Sequence, residues 1–62
     1  LSALEKAKLR AKDVLTKAEG NNDAKYKTYC ALLKAETMEE YLSIIENSQI
    51  MPVAKLRLKE TL

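Results

Sequence analysis

The chain reads as four stretches in which apolar residues return at helical spacing, separated by three short polar breaks. Set about 100° apart on a helical wheel, Leu4, Ala7, Ala11, Val14, Leu15 and Ala18 fall within about a 100° arc. That stripe predicts a first helix over residues 2–19 with one buried face. Ser2 is placed to cap it, and Glu5 completes a capping box. Leu9 points almost directly away from the stripe, among lysines.

The run "GNND" at 20–23 ends this helix. Gly20 suits a left-handed C-cap, and Asn22 or Asp23 suits the cap of the next helix. A second helix is expected over 24–35. Tyr26, Tyr29, Cys30 and Leu33 share one face at i, i+3, i+4 and i+7, widened by Leu32, and this predicts its core side. Ala24, Ala31 and Ala35 make a second, small-residue face that could form another packing seam.

The stretch "ALLKAETMEEYLSII" carries a helix-start signal in its middle. Thr37 and Glu40 form another capping-box pair, and Glu39 and Glu40 would sit in a first turn, where the helix dipole favours anions. A corner at Glu36–Thr37 and a third helix over 38–47 follow, with Tyr41, Leu42 and Ile45 buried. The competing reading is one continuous helix over 24–47, about 36 Å long. "NSQIMP" is a connection, because the residue before a proline is pushed out of helix and Pro52 fits a first helical position. Ala54, Leu58 and Leu62 then make an i, i+4, i+8 stripe for a fourth helix over 53–62. "KLRLK" also alternates as a strand would, but no other segment alternates to pair with it.

The fold class expected is therefore all-α: a small up-down-up three-helix bundle with an additional C-terminal helix, as a single domain over 1–62. Composition agrees. Ala, Leu, Lys and Glu dominate, with one Gly, one Pro and no Trp or Phe. A chain of 62 residues buries only about 60% of its unfolded surface, for about 3–5 kcal/mol of net stability. One cysteine excludes an internal disulfide, and the lack of histidine removes the usual zinc ligand sets. Stability must come from helix packing or from a partner. The chain opens at Leu1, as an excised domain or a processed product would. No apolar run is long enough to span a membrane.

Charge changes the picture in one respect. The net charge is only +2, but residues 37–51 carry −3 between basic neighbours, which predicts attraction inside one bundle. Basic residues cluster on one side of the first helix (Lys6, Arg10, Lys17) and in the fourth (Lys55, Arg57, Lys59). Such stripes serve phosphate contacts, but acids are interleaved and no nucleic-acid recognition signature is present.

Candidate chemistry is sparse. Cys30 has Lys27 and Lys34 within a turn but no histidine to activate it, so it reads as a small hydrophobe. A free thiol favours a reducing, cytoplasmic compartment. Glu39, Glu40 and Glu46 read as caps and solvated surface, not as acid/base catalysts. No cofactor or metal is implied, and the chain reads as a non-enzyme. The three tyrosines are expected at the core's edge, where their hydroxyls find water or a partner. Leu9, Met38, Ile50, Met51 and Leu56 are the apolar residues that a three-helix core explains least. They mark a docking surface, expected on helix two, helix three and the connection at 48–53, unless the fourth helix covers some of them. The function expected is a protein–protein interaction module that binds a partner protein or self-associates. The alternative is a basic helical nucleic-acid-binding domain.

Residues 6–47 resemble the three-helix albumin-binding modules of bacterial surface proteins. "KAKLRAKDVLTKAEG" is similar to their first helix and its glycine stop, and "LLKAETMEEYLSII" to their second corner, a Lys-Ala-x-Thr-x-Glu-Glu pattern. The C-terminal bundles of paramyxovirus phosphoproteins share a similar corner. The resemblance implies the bundle topology and a cell-surface setting. The aromatic pair that opens the family's second helix is matched here by Lys27 and Thr28, so no binding residues are carried over.

Overall fold

The computed structural model describes residues 1–60 and 62. They form four α-helices: α1 (Ala3–Lys17), α2 (Asn22–Lys34), α3 (Met38–Asn47) and α4 (Pro52–Glu60). No strand occurs among the described residues.

Local chemistry sets the helix ends. Ser2 caps α1 through a complete capping box, with Ser2 Oγ accepting from the Glu5 N–H at 3.1 Å and Glu5 reaching back to the Ser2 N–H. Asn21, one residue earlier than expected, caps α2 by accepting from the N–H groups of Asp23 (2.7 Å) and Ala24 (3.2 Å). The first helix ends at an extended Ala18, so Gly20 is not its C-cap. Gly20 instead takes a φ of +125° inside the connection. The chain breaks after Ala35, and Thr37 Oγ1 accepts from the Glu40 N–H at 3.1 Å. Glu40 reaches back to the Glu36 N–H at 3.4 Å, not to that of Thr37. The continuous helix over 24–47 is thereby excluded. Pro52 opens α4, where its missing N–H leaves no bond unmade.

The helices form a ring in which each packs on its chain neighbours and α4 closes back onto α1. The interior is built from Ala7, Ala11 and Leu15 of α1, Leu32 and Ala35, Tyr41 and Ile45 of α3, Ile50, and Ala54 and Leu58 of α4. Alanines on α1 let its neighbours approach closely, and the larger Leu32, Tyr41, Ile45 and Leu58 fill the centre. Burying each large aliphatic side chain contributes about 1.5–3 kcal/mol. Tyr41 is fully buried rather than at the core's edge, and its hydroxyl donates to the Ala7 carbonyl at 3.1 Å. Its burial raises the phenol pKa above the usual 10.0.

Polar groups tie the ring together. Lys8 Nζ donates to the carbonyls of Leu33 (3.0 Å) and Ala35 (2.5 Å), closing the C-terminus of α2. Lys25 Nζ donates to the Ala18 carbonyl at 2.6 Å and does the same for α1. Cations suit those positions because the last carbonyls of a helix are unpaired and its dipole is negative there. The acidic α3 meets the basic α4 through the Glu46–Lys59 ion pair and a bond from Lys55 Nζ to the Glu46 carbonyl at 3.0 Å.

Further expectations about burial are corrected: Leu42 is half-buried rather than buried, and Leu62, expected on the stripe of the fourth helix, is exposed. The core face of α2 is centred on Thr28, the expected Leu32 and Ala35, flanked by Ala24 and Ala31; of the Tyr26–Tyr29–Cys30–Leu33 stripe only Tyr29 packs against the core, from its edge, while Tyr26 and Leu33 are exposed. Thr28 is buried with its hydroxyl donating to the Ala24 carbonyl at 2.8 Å. Ile50 belongs to the core, at 7% exposure, and not to a docking surface. It joins the core cluster from the connection before Pro52.

Candidate functional site

The five apolar residues singled out from the sequence do not form one surface. Ile50 is internal, and Met38 is half-buried against the core. Leu9, Met51 and Leu56 are exposed, but on different flanks. Leu9 lies between α1 and α2. Met51 lies in a cleft between the end of α1 and the start of α4, with Val53 and Arg57. Leu56 faces outward from α4, opposite the buried Ala54 and Leu58.

The larger apolar surface lies where α1 meets the Tyr26–Leu33 side of α2, the face expected to be that helix's core side. The Tyr26–Tyr29–Cys30–Leu33 stripe runs along the flank of α2 beside α1, with Tyr29 packed against the edge of the core and Cys30 half-buried. Tyr26 is 69% exposed and Leu33 46%, next to Leu9 at 66% and Leu1 at 79%. Two hollows lie between the helices and share Tyr29 as a common wall. The first, of about 240 Å³, is lined by Leu1, Glu5, Leu9 and Leu33. The second, of about 350 Å³, is lined by Lys12, Leu15, Thr16 and Tyr26. Together they make one groove along α1 and α2.

Lys8, Lys12 and Lys25 border the groove, against one carboxylate, Glu5. Glu5 is held by Ser2 in the capping box. Lys8 and Lys25 are fixed by the carbonyls they close, and Lys12 has no ion-pair partner among the described residues. The Cys30 side chain, one turn on from Tyr26, raises the Tyr26 phenol pKa above the usual 10.0. Cys30 is half-buried and in no disulfide.

The basic residues of α1 and α4 meet at one point. Lys17 and Arg57 line the same cleft, but Lys17 pairs with Asp13 at 3.2 Å. Lys55 and Lys59 turn onto α3 instead. A third hollow, between α2 and α3, is lined by Lys27, Ser43, Asn47 and Gln49 beside Ala31 and Ile44. It holds none of the large exposed apolar residues.

Among the described residues no group of three His, Cys, Asp or Glu side chains converges as a metal site would need. Among the described residues no helix is long and apolar enough to cross a membrane. Compared with family models, curated proteins and solved structures, the chain matches none of them.

Proposed function

We propose that this chain is a protein–protein interaction module, with α1–α3 in an up-down-up bundle, α4 packed on it, and the groove between α1 and α2 as its docking surface. The observation that carries the reading is the second apolar face of α2. An isolated exposed leucine is ordinary on a protein surface. Here Leu1, Leu9, Tyr26 and Leu33 are exposed side by side around Tyr29. Contiguous apolar patches of this kind mark association sites, and tyrosine is enriched among residues that dominate binding energy. The crossed lysine contacts support the topology: Lys8 near the start of α1 meets the end of α2, and Lys25 near the start of α2 meets the end of α1.

The nucleic-acid reading has less behind it. Lys17 and Arg57 of its two basic clusters line one cleft, and Lys17, Lys55 and Lys59 are engaged by Asp13 or Glu46.

The test compares the immobilised domain with a Leu9→Asp/Leu33→Asp variant, and titrates the wild type with a mixed-sequence DNA duplex at low and moderate salt. The module reading expects a protein retained by the wild type and lost by the variant, with little DNA bound. Equal retention by both overturns the groove. Tight DNA binding that weakens steeply with salt replaces the reading with the nucleic-acid one.

A further inference from the structure

We infer that the α1–α2 groove is shaped and charged for one kind of occupant, an acidic amphipathic α-helix of another protein. This rests on the docking reading above and adds the partner's chemistry.

The spacing of the groove specifies a helix. The residues lining its two hollows recur seven positions apart on both walls. On α1 the pairs are Glu5 with Lys12, Lys8 with Leu15, and Leu9 with Thr16; on α2 the pair is Tyr26 with Leu33. Seven helical residues span about 10.5 Å, close to two turns. A third helix lying along the groove presents its own i and i+7 side chains at that separation, with an i+3 or i+4 residue between them over Tyr29. This is the side-chain spacing by which packed helices interdigitate. In an extended strand, residues on one face step by about 6.8 Å and fall out of phase with the two hollows.

The charge specifies the sign. Three lysines border the groove against one glutamate, and that glutamate is committed to Ser2. Lys25 stands near one end, Lys12 in the middle and Lys8 toward the other. An ammonium group has three donors. Lys25 Nζ spends one of them on Ala18 and Lys8 Nζ two on Leu33 and Ala35, so each keeps a proton for a carboxylate.

The same lysines argue against a second copy of this chain. A two-fold contact sets one patch against itself, which would bring Lys8, Lys12 and Lys25 against their own equivalents with like-charge repulsion. The acidic helix α3 is no substitute occupant, because its apolar residues Tyr41 and Ile45 are already buried.

The experiment titrates the intact domain with three labelled synthetic peptides of about 15 residues. One carries leucines at i, i+3 and i+7 flanked by glutamates. The second replaces every glutamate with lysine, and the third scrambles the leucine spacing. Fluorescence anisotropy gives affinity, and amide chemical shifts locate the site. The acidic peptide is expected to bind about tenfold tighter than the basic one, to weaken with salt, and to shift resonances of Leu9, Tyr26, Tyr29 and Leu33. Lys12→Glu, at an exposed position, is expected to weaken the acidic peptide about two- to fivefold and strengthen the basic one. The thermal midpoints of both proteins check that the fold is kept. Equal binding of acidic and basic peptides in the groove overturns the acidic partner and leaves the docking surface standing. Equal binding of the scrambled peptide overturns the helical partner in the same way. Shifts confined to α3 and α4, or no binding by any peptide, overturn both the partner and the groove. Concentration-dependent dimerisation through Leu9 and Leu33 overturns the partner in favour of a second copy.

Discussion

Replacing Tyr41 with phenylalanine isolates one bond at the centre of the fold. The hydroxyl donates to the Ala7 carbonyl at 3.1 Å, and the ring around it is fully buried. Within α1 that carbonyl also takes the helix's own bond from four residues on, so the substitution leaves no orphaned acceptor. The loss is then the net value of one buried hydrogen bond, about 1 kcal/mol. Unfolding entropy of about 2.1 cal/mol/K per residue gives about 0.13 kcal/mol/K for this chain, so the midpoint should fall by about 8 °C. Tyr41→Ala removes the ring as well, at about 3–5 kcal/mol, comparable with the whole stability of so small a domain. That variant should be unfolded. Thermal melts followed by circular dichroism separate the two outcomes.

The bond has a pH signature too. Burial holds the folded Tyr41 phenol above 10.0, while the unfolded chain releases that proton near the ordinary value. Above about pH 10 the unfolded state binds fewer protons, so stability falls as pH rises. Phenylalanine has no proton to lose, so the gap between the two proteins should narrow with increasing pH. Tyr26 is shifted in the same direction but is exposed in both states and adds little. A midpoint unchanged within about 2 °C at neutral pH, or parallel alkaline slopes for the two proteins, would refute this account.

Thr37→Ala removes the cap of α3 and should lower stability by about 1 kcal/mol in urea titrations; the Thr37→Ser variant should restore it. Gly20→Ala places a side chain at a φ of +125° with its Cβ 3.0 Å from Met51 Cγ, and should cost about 1–3 kcal/mol. Adding Met51→Ala should relieve the contact but not the backbone strain, so only part of the loss should return. Ala11→Leu forces a larger side chain into a site with no exposure and should destabilise by about 1–3 kcal/mol, whereas the same change at Ala3, on the solvent side, should be nearly neutral.

Much of the fold was legible because helix ends are written in short-range chemistry. Ser2 with Glu5, Thr37 with Glu40, and Pro52 each satisfy or remove backbone groups within one turn, and the bounds of α3 follow from them directly. The α1 stripe was legible because alanine and leucine alternate there with charged residues. The face of α2 was not. Its outer stripe of Tyr26, Tyr29, Cys30 and Leu33 carries larger side chains than Ala24, Thr28, Ala31 and Ala35, which with Leu32 make the inner one. Side-chain size favoured the outer stripe as the core side, while close packing against neighbouring helices selected small residues. The same error hid the groove. Leu9 can be placed outside from its wheel position, but Tyr26 and Leu33 share the face that periodicity points toward the core, with Tyr26 at its edge. Ile50 sits in a connection with no periodicity to place it, so only the three-dimensional path shows it inside.

The alanine seam on α1 divides that helix into two regimes of tolerance. Positions 7 and 11 admit almost no variation in size. Glu5, Leu9 and Lys12, one wall of the groove, are exposed and carry none of the core. Ligand preference could therefore drift or be re-engineered along the outer wall while the scaffold stays fixed, so that a set of such domains could share one backbone yet sort their targets by a handful of outward side chains.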